Sequence, residues 1–266
     1  MRLSKAELKY LRSLKLKKFR EAEQKFLVEG WRSVNELISS DFKIDFVAIS
    51  SRYTQDDDDK PILRQIKDRK VKIKDIPESE LQQISETVHS QGIVGLAGQK
   101  FVDIDEIVSR NPTCVVVAEA VSDPGNLGSI LRSCDWFGVD GLILSKGSVD
   151  LYNEKVVRST AGSIFHVPVA SNVPLEEALV KLRMKGFFLA ATGMEGETLY
   201  TELRPAAKIA VILGNEAHGI TNQVRQASDT VIRIPKFGKA ESLNVGVACG
   251  IILAQLKNNA FPEARH

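Results

Sequence analysis

The 266-residue sequence has no apolar run approaching the ~20 residues that a bilayer-spanning helix needs, so no membrane partner is expected. Its first residues carry charge but no apolar core segment, which argues against a secretory signal. Cysteine is scarce. Cys114, Cys134 and Cys249 are odd in number and far apart, and they form neither a disulfide framework nor a metal-ligand pattern. The four histidines (His89, His166, His218, His266) are isolated as well, so no metal is expected and a reduced, cytoplasmic setting follows. No G-x-G-x-x-G follows a strand and no Walker A loop is present, which excludes the usual nicotinamide, flavin and nucleoside triphosphate signatures. Repeats and low-complexity segments are absent. Net charge is also small, with 36 Lys plus Arg against 34 Asp plus Glu.

That charge is unevenly spread. Residues 1–25 hold nine Lys/Arg against three Glu, which reads either as a basic arm for phosphate contacts or as a solvated amphipathic helix. The next segments alternate between short apolar strands and helices: a strand at Phe26–Val28, a helix opened by Gly30, a strand over Phe42–Ile49, an exposed acidic loop at Asp56–Asp59, a helix from Pro61, a strand at Val71–Ile73, a helix at Glu78–Ile84 and a strand at Gly92–Ala97. This predicts a small α/β domain, joined through residues 99–111 to a second one.

The second half alternates more strongly. Strands are expected at Thr113–Val121, Gly141–Leu144, Phe165–Val169, Phe187–Thr192, Ile209–Leu213 and Thr230–Ile234. Helices are expected at Leu127–Trp136, Glu154–Thr160, Leu175–Lys185, Thr221–Ala227 and Leu243–Asn258. Near-continuous apolar strands such as Cys114–Ala118 suit a parallel sheet covered on both faces. Ligands bind such sheets at the carboxyl ends of the strands, and three polar loops follow strand ends here.

The first loop is Ser122-Asp123-Pro124-Gly125-Asn126-Leu127-Gly128, a turn leading into a helix that carries Arg132. A helix starting at Asn126 would put Asn126 and Arg132 about 9 Å apart along its axis. They bracket a substrate, or they are an N-cap and a surface charge. The second loop is Leu213-Gly214-Asn215-Glu216-Ala217-His218-Gly219. Glu216 holds the loop through backbone amides or touches substrate, and His218 has no sequence partner that would make it a base. The third follows Pro235, which ends a strand; Ser242 then reads as the N-cap of a helix with Gly246 and Gly250 on one face. Arg158 is either a phosphate contact or a cation at a helix C-terminus.

Taken in order, these loops resemble the three motifs of the SpoU-type RNA ribose 2′-O-methyltransferases, a branch of the SPOUT class. Asn126 through Arg132 to Gly138 resembles the first motif. Gly214-Asn215-Glu216 with Gly219 resembles the second, and Pro235, Gly238, Ser242, Leu243 and Asn244 resemble the third. Arg20, Phe26, Val28, Glu29, Gly30 and Gln91-Gly92 are similar to the ribosomal-protein-like RNA-binding domain often fused to such enzymes. Ala217, Lys236 and Gly246 depart from commoner glycine, methionine and serine, and none removes a polar motif group.

The resemblance implies an α/β chain with an RNA substrate-binding domain over 1–105 and a methyltransferase domain over 106–266. That second domain would be a parallel sheet with a C-terminal trefoil knot. S-adenosylmethionine is the implied cofactor and the product a 2′-O-methylated RNA, ribosomal RNA before tRNA, made by a homodimer. Arg132, Asn126, Glu216, Ser242 and Asn244 would form the catalytic group. Thr192, Gly193, Leu213, Gly214, Asn215, Ile234, Leu243 and Asn244 would hold the cofactor.

Overall fold

A computed structural model describes residues 2–50, 60–85, 91–204 and 207–260. The acidic run Asp56–Asp59, His89 and His266 lie outside the described residues. The chain forms two compact units, 1–100 with 150–166 and 101–149 with 167–266. The functional division expected at residue 105 differs from these units over residues 101–105 and by the 150–166 segment.

The first unit opens with two short helices, α1 (Lys5–Ser13) and α2 (Lys17–Glu23). Ser4 and Glu7 make a reciprocal capping box at the start of α1, which fixes its first turn. There follow β1 (Lys25–Glu29), α3 (Trp31–Ser39), β2 (Ile44–Ile49), α4 (Lys60–Asp68), β3 (Ile73–Asp75), α5 (Glu78–Ile84) and β4 (Ile93–Gly98). The sheet order is β1-β4-β2-β3, with β4 antiparallel to both neighbours and β2 parallel to β3.

The second unit contains α6 (Ile104–Ser109), β5 (Cys114–Ala118), α7 (Pro124–Trp136) and β6 (Gly141–Ser145). Residues 99–111, expected as a joint, thus include a helix capped by Asp103. The chain then joins the first unit for 150–166, which holds α8 (Glu154–Ser159) and a single 3-10 turn at Ser163–Phe165. It returns as β7 (Val169–Val173), α9 (Leu175–Met184), β8 (Phe188–Thr192), β9 (Thr198–Leu199), β10 (Ile209–Leu213), α10 (Asn222–Ala227), β11 (Thr230–Arg233) and α11 (Val245–Ala260).

The strand expected at Phe165–Val169 is a correction: β7 begins at Val169. Phe165 is spent elsewhere, at 5.2 Å centroid distance from Phe42 and 6.5 Å from Phe26 in the core of the first unit. Tyr152 sits at 4.5 Å from Phe26 in the same core. Asp150 accepts from Arg20, whose guanidinium is buried; the Nε contact is 3.0 Å. The remaining Arg20 nitrogen donates to the carbonyls of Leu14 and Lys15 at 2.8 and 2.7 Å. The buried charge is thus fully engaged.

The large sheet runs β7-β6-β5-β10-β8-β11-β9, every pair parallel. All five residues of β5, β6 and β10 are buried, as expected for strands covered by helices on both faces. One core layer gathers Val115, Val117, Ile143, Leu189 and Ile212 with the apolar faces of α6 and α9.

Candidate active site

Parallel register decides where the loops meet. Ala118 at the end of β5 lies opposite Leu213 at the end of β10. Ala191 lies opposite Ile212, and Thr192 opposite Ile232. The carboxyl ends of four strands therefore stand side by side. The chain builds outward from β5 to β6 and β7, then crosses to the other side of the sheet. The β5/β10 boundary is thus the switch point at which α/β sheets open a crevice.

Three hydrogen-bonded loops gather there. After β5, Glu119 continues the ladder by donating its N–H to Leu213 O at 2.8 Å. Its side chain is only 6% exposed and accepts from the N–H of Thr221 at 3.0 Å. Ala120 takes a left-handed conformation, φ 49°. Its N–H donates to Ser145 Oγ at 2.8 Å, and its carbonyl accepts from Asn215 Nδ2 at 2.7 Å. Asp123 caps α7 by accepting from the N–H of Asn126 at 2.8 Å, with Pro124 at the first helical position. Of the two readings of Asn126, this excludes the cap: Asp123 fills that role and leaves the Asn126 side chain for other partners.

Glu216, from the loop after β10, collects the first loop. Its Oε1 accepts from Asp123 N–H at 3.0 Å and from Asn126 Nδ2 at 2.9 Å. Its Oε2 accepts from Ser122 N–H at 3.2 Å and Ser122 Oγ at 3.3 Å. Burial pushes the carboxyl pKa up. The bonds from Asn126, the Asp123 amide, its own amide and Ser122 outweigh that and hold it below the ordinary glutamate value. Of the two readings of Glu216, this geometry carries the first, a carboxylate that holds the loop through amides.

Asn126 Oδ1 in turn accepts from Asn244 Nδ2 at 2.7 Å. Asn244, not Ser242, caps α11: its Oδ1 accepts from the N–H groups of Gly246 and Val247 at 2.9 and 3.2 Å. Ser242 lies two residues too early and is exposed, with no hydrogen-bond partner among the described residues. The loops after β5, β10 and β11 are therefore joined in one chain, Asn244 to Asn126 to Glu216.

Arg132 lies two turns further along α7, exposed and without a hydrogen bond or ion pair among the described residues. His218 is exposed too, and only its backbone N–H is engaged, by Asn215 Oδ1 at 3.2 Å. Arg158 falls in the last turn of α8, in the first unit.

The remaining expected positions flank the crevice. Thr192 ends β8, and Gly193 N–H donates to Ile232 O at 3.0 Å. Leu213 is fully buried, so only its backbone is available to a ligand. Gly214 passes so close to the returning loop that an added Cβ would lie 2.5 Å from Ile220 N. Asn215 ties that loop to itself through paired 2.9 Å backbone bonds with Gly219. Ile234 lies just beyond β11, and Leu243 is 48% exposed.

Beneath the site α11 packs on α7. Gly246 approaches so closely that a Cβ there would lie 2.7 Å from that of Ser129, and Gly250 faces Ser133. Cys134 and Cys249 hydrogen-bond within this seam, which together with burial pushes the Cys134 thiol up. Sequence reasoning missed Glu119. Its signal was an acidic residue directly continuing an otherwise apolar strand.

Comparisons with known proteins give the family and the fold. Residues 113–254 match the model of the SpoU rRNA Methylase family, and residues 5–95 match an MRM3-like substrate binding domain. A Staphylococcus aureus protein assigned to the TrmH family of tRNA/rRNA methyltransferases is 31% identical over 201 residues, covering 73% of this chain and 81% of its own. The crystal structure of an AdoMet-bound rRNA methyltransferase from Sinorhizobium meliloti superposes with a TM-score of 0.84 at 26% identity, covering 97% of this chain and 96% of that one. An RNA 2′-O ribose methyltransferase structure gives 0.80 at 25% identity, with 98% and 100% covered.

Proposed function

The chain belongs to the SpoU rRNA methylase family, and from that premise we propose that it is an S-adenosylmethionine-dependent RNA methyltransferase acting on a ribose 2′-hydroxyl, in ribosomal RNA before tRNA. The observation that carries this reading is the Asn244–Asn126–Glu216 hydrogen-bond chain, which brings all three motif loops to one crevice.

The cofactor fits the residues present. Gly214 lets the loop after β10 fold back against itself and holds its backbone in place at the strand end, while Leu243 and Phe237 are apolar side chains 48% and 95% exposed in the loop after β11. Such surface suits an adenine ring better than water. Thr192, Gly193, Leu213, Gly214, Asn215, Ile234, Leu243 and Asn244 would hold it, Leu213 through its backbone. When bound, S-adenosylmethionine supplies an electrophilic methyl group on a sulfonium.

The protein's part is alignment and charge. Glu216 has both oxygens occupied by protein donors, so it fixes the first two loops and does not take the substrate proton. Asn126 is oriented at both ends and presents its face of α7 in one conformation. Arg132, exposed and unpaired, clamps the phosphate beside the target ribose and the developing 2′ oxyanion. An arginine is effectively never deprotonated, so the hydroxyl proton leaves to phosphate or water. Holding the hydroxyl in line supplies most of the remaining effect. Ser242 belongs to this group by motif position.

Residues 1–105 supply RNA affinity and 106–266 the chemistry. Preference for ribosomal RNA rests on the family's description and the substrate-domain match, an argument by analogy. A homodimer is part of the proposal, but Gly246 and Gly250 do not carry it, since α7 of the same chain fills their face. Trp136, 85% exposed at the end of α7, and Val247, 50% exposed on α11, are apolar side chains of these two helices that a partner copy would cover. The trefoil knot is also proposed, supported by the late strand β10 lying between β5 and β8.

Calorimetric titration of S-adenosylmethionine in chelator should give one site per chain, and mapping of 2′-O-methyls in total RNA with and without the protein should show one lost position. No binding by folded protein would refute the enzyme reading. A lost position in tRNA would move the substrate.

A further inference from the structure

The nine basic residues of the first 25 are not one undivided patch. Five are spent within the fold: Arg2 on Glu80, Lys15 on the carbonyl of Ser85, Lys17 on Glu21, Arg20 on Asp150 and Lys25 on Asp45. Arg12 makes a single long contact, 3.4 Å, to the neutral amide of Gln83. Lys5 and Lys9 have no partner among the described residues, and Lys18 has only the ring of Phe19, with its Nζ 4.9 Å from the centroid.

The residues left over are ordered in space by the helix. Lys5, Lys9 and Arg12 are spaced four and three apart on α1, so they share one stripe about 10 Å long. All three are exposed, and Leu8 and Leu11 turn the other side of the helix to the core. The α1–α2 turn beyond the stripe exposes two apolar side chains, Leu16 at 54% and Phe19 at 38%. The turn is not held by those side chains. Buried Arg20 grips it from beneath by donating to the carbonyls of Leu14 and Lys15. A buried cation thus fixes a turn whose outward face is basic and apolar. Cations beside an exposed aromatic, with no acid paired to them among the described residues, are complementary to a polyanion carrying unpaired bases.

We propose that Lys5, Lys9 and Arg12, with Leu16, Lys18 and Phe19, form an RNA-contact surface that takes backbone phosphates on the α1 stripe and stacks one unpaired base on Phe19. This rests on the reading of the protein as an RNA methyltransferase and names which face of its substrate domain meets the RNA.

The test uses the full chain and two fluorescein-labelled RNAs of mixed sequence, a 20-nucleotide single strand and its duplex, titrated across a salt series. Lys5→Ala/Lys9→Ala should weaken binding of both and flatten the plot of log affinity against log salt by about 1.4 for the single strand, two charges at about 0.7 each. Phe19→Ala should weaken the single strand roughly tenfold and the duplex little, because stacking needs an unpaired base. Lys17→Ala, at an exposed lysine already paired with Glu21, is the control and should match wild type. Wild-type binding and salt slope in the double variant would overturn the surface. Equal weakening by Lys17→Ala would overturn it as well, by reducing the effect to bulk charge. Titration of S-adenosylmethionine into the same variants separates the two levels. Unchanged cofactor affinity with weakened RNA binding supports the surface, whereas a wild-type protein that binds RNA but no cofactor fails the enzyme reading and leaves the surface standing.

Discussion

Replacing Glu216 by glutamine changes one atom and one charge, and its cost can be worked from its four shorter hydrogen bonds. The carboxylate accepts two donors on Oε1 and two on Oε2, which also takes a longer 3.5 Å contact from Asn215 Nδ2. Glutamine keeps one oxygen, which best serves the closer pair, the Asp123 amide and Asn126 Nδ2. Its NH2 group must then face Ser122. The Ser122 hydroxyl can rotate to accept from it, but the Ser122 amide cannot and is left without its acceptor. One orphaned donor costs about 1–3 kcal/mol, and lost charge assistance on the other bonds adds to this. Glu216 is only partly buried, so water offsets some of the loss and about 2 kcal/mol remains. The change is local, so local opening reports it best. Amide hydrogen exchange at Ser122 and Asp123 should quicken by roughly 30-fold at pH 7, since 1.4 kcal/mol is about a factor of ten. The sign with pH follows from the lowered pKa. A carboxyl held below its ordinary 4.5 contributes stability that is present above that value and is lost as pH falls through the folded pKa. Glutamine resembles the protonated acid, so the gap between wild type and Glu216→Gln should be widest at neutral pH and close below pH 4.5. Equal exchange at pH 7, or a gap that persists in acid, would refute the claim that Glu216 holds the two loops as an anion.

Four further outcomes are expected. Arg132→Lys should lower the single-turnover rate roughly 100-fold at every pH while leaving cofactor affinity unchanged; a profile that climbs to the wild-type rate as pH rises would make the residue a proton acceptor instead. Asn244→Asp should keep the α11 cap and the denaturation midpoint, because aspartate caps as well as asparagine, yet turnover should drop, since aspartate has no donor for Asn126 Oδ1. A turnover equal to wild type would detach Asn244 from the site. Gly214→Ala should cost about 1–3 kcal/mol in urea denaturation and weaken S-adenosylmethionine binding, because the Cβ runs into the backbone of the returning loop; an unchanged midpoint and unchanged affinity would show that the passage is looser. A 106–266 fragment should scatter light and aggregate, because it keeps Tyr152 and Phe165 without the Phe26 and Phe42 they pack on; a clear, folded fragment would contradict that packing.

Much of the large sheet was legible because parallel strands buried on both faces leave plain apolar runs, as in Cys114–Ala118 and Ile209–Leu213. The three loops stood out for the same reason, as polar residues placed directly after such runs. What escaped was decided by contacts distant in sequence. Ser242 and Asn244 are both good caps, and only the backbone between them settles which one meets the first helical turn. Asn126 could be a cap or a site residue by its spacing, and what decides it is Asp123, three residues earlier, together with a bond to a residue 90 positions away. Phe165 has the apolar character of a strand residue, yet its partners are Phe26 and Phe42, which no local pattern reveals. Arg20 counted among the charges of a basic arm and among the positions similar to an RNA-binding domain, and its burial follows from Asp150 and the carbonyls of Leu14 and Lys15.

The pairing of Arg20 with Asp150 also bears on the order in which the protein takes shape during synthesis. When residue 100 has left the ribosome, the first unit has all four strands of its sheet but not its last wedge. Arg20 is without its carboxylate, and Phe26 is without the rings of Tyr152 and Phe165. At about 5–20 residues per second, the missing piece arrives roughly 3–13 seconds later. Two strands of the other sheet, β5 and β6, emerge in that interval before their own neighbours β7 and β10 exist. Each unit thus waits for a later stretch of its own chain that is made after part of the other, and neither is one continuous N-terminal or C-terminal piece.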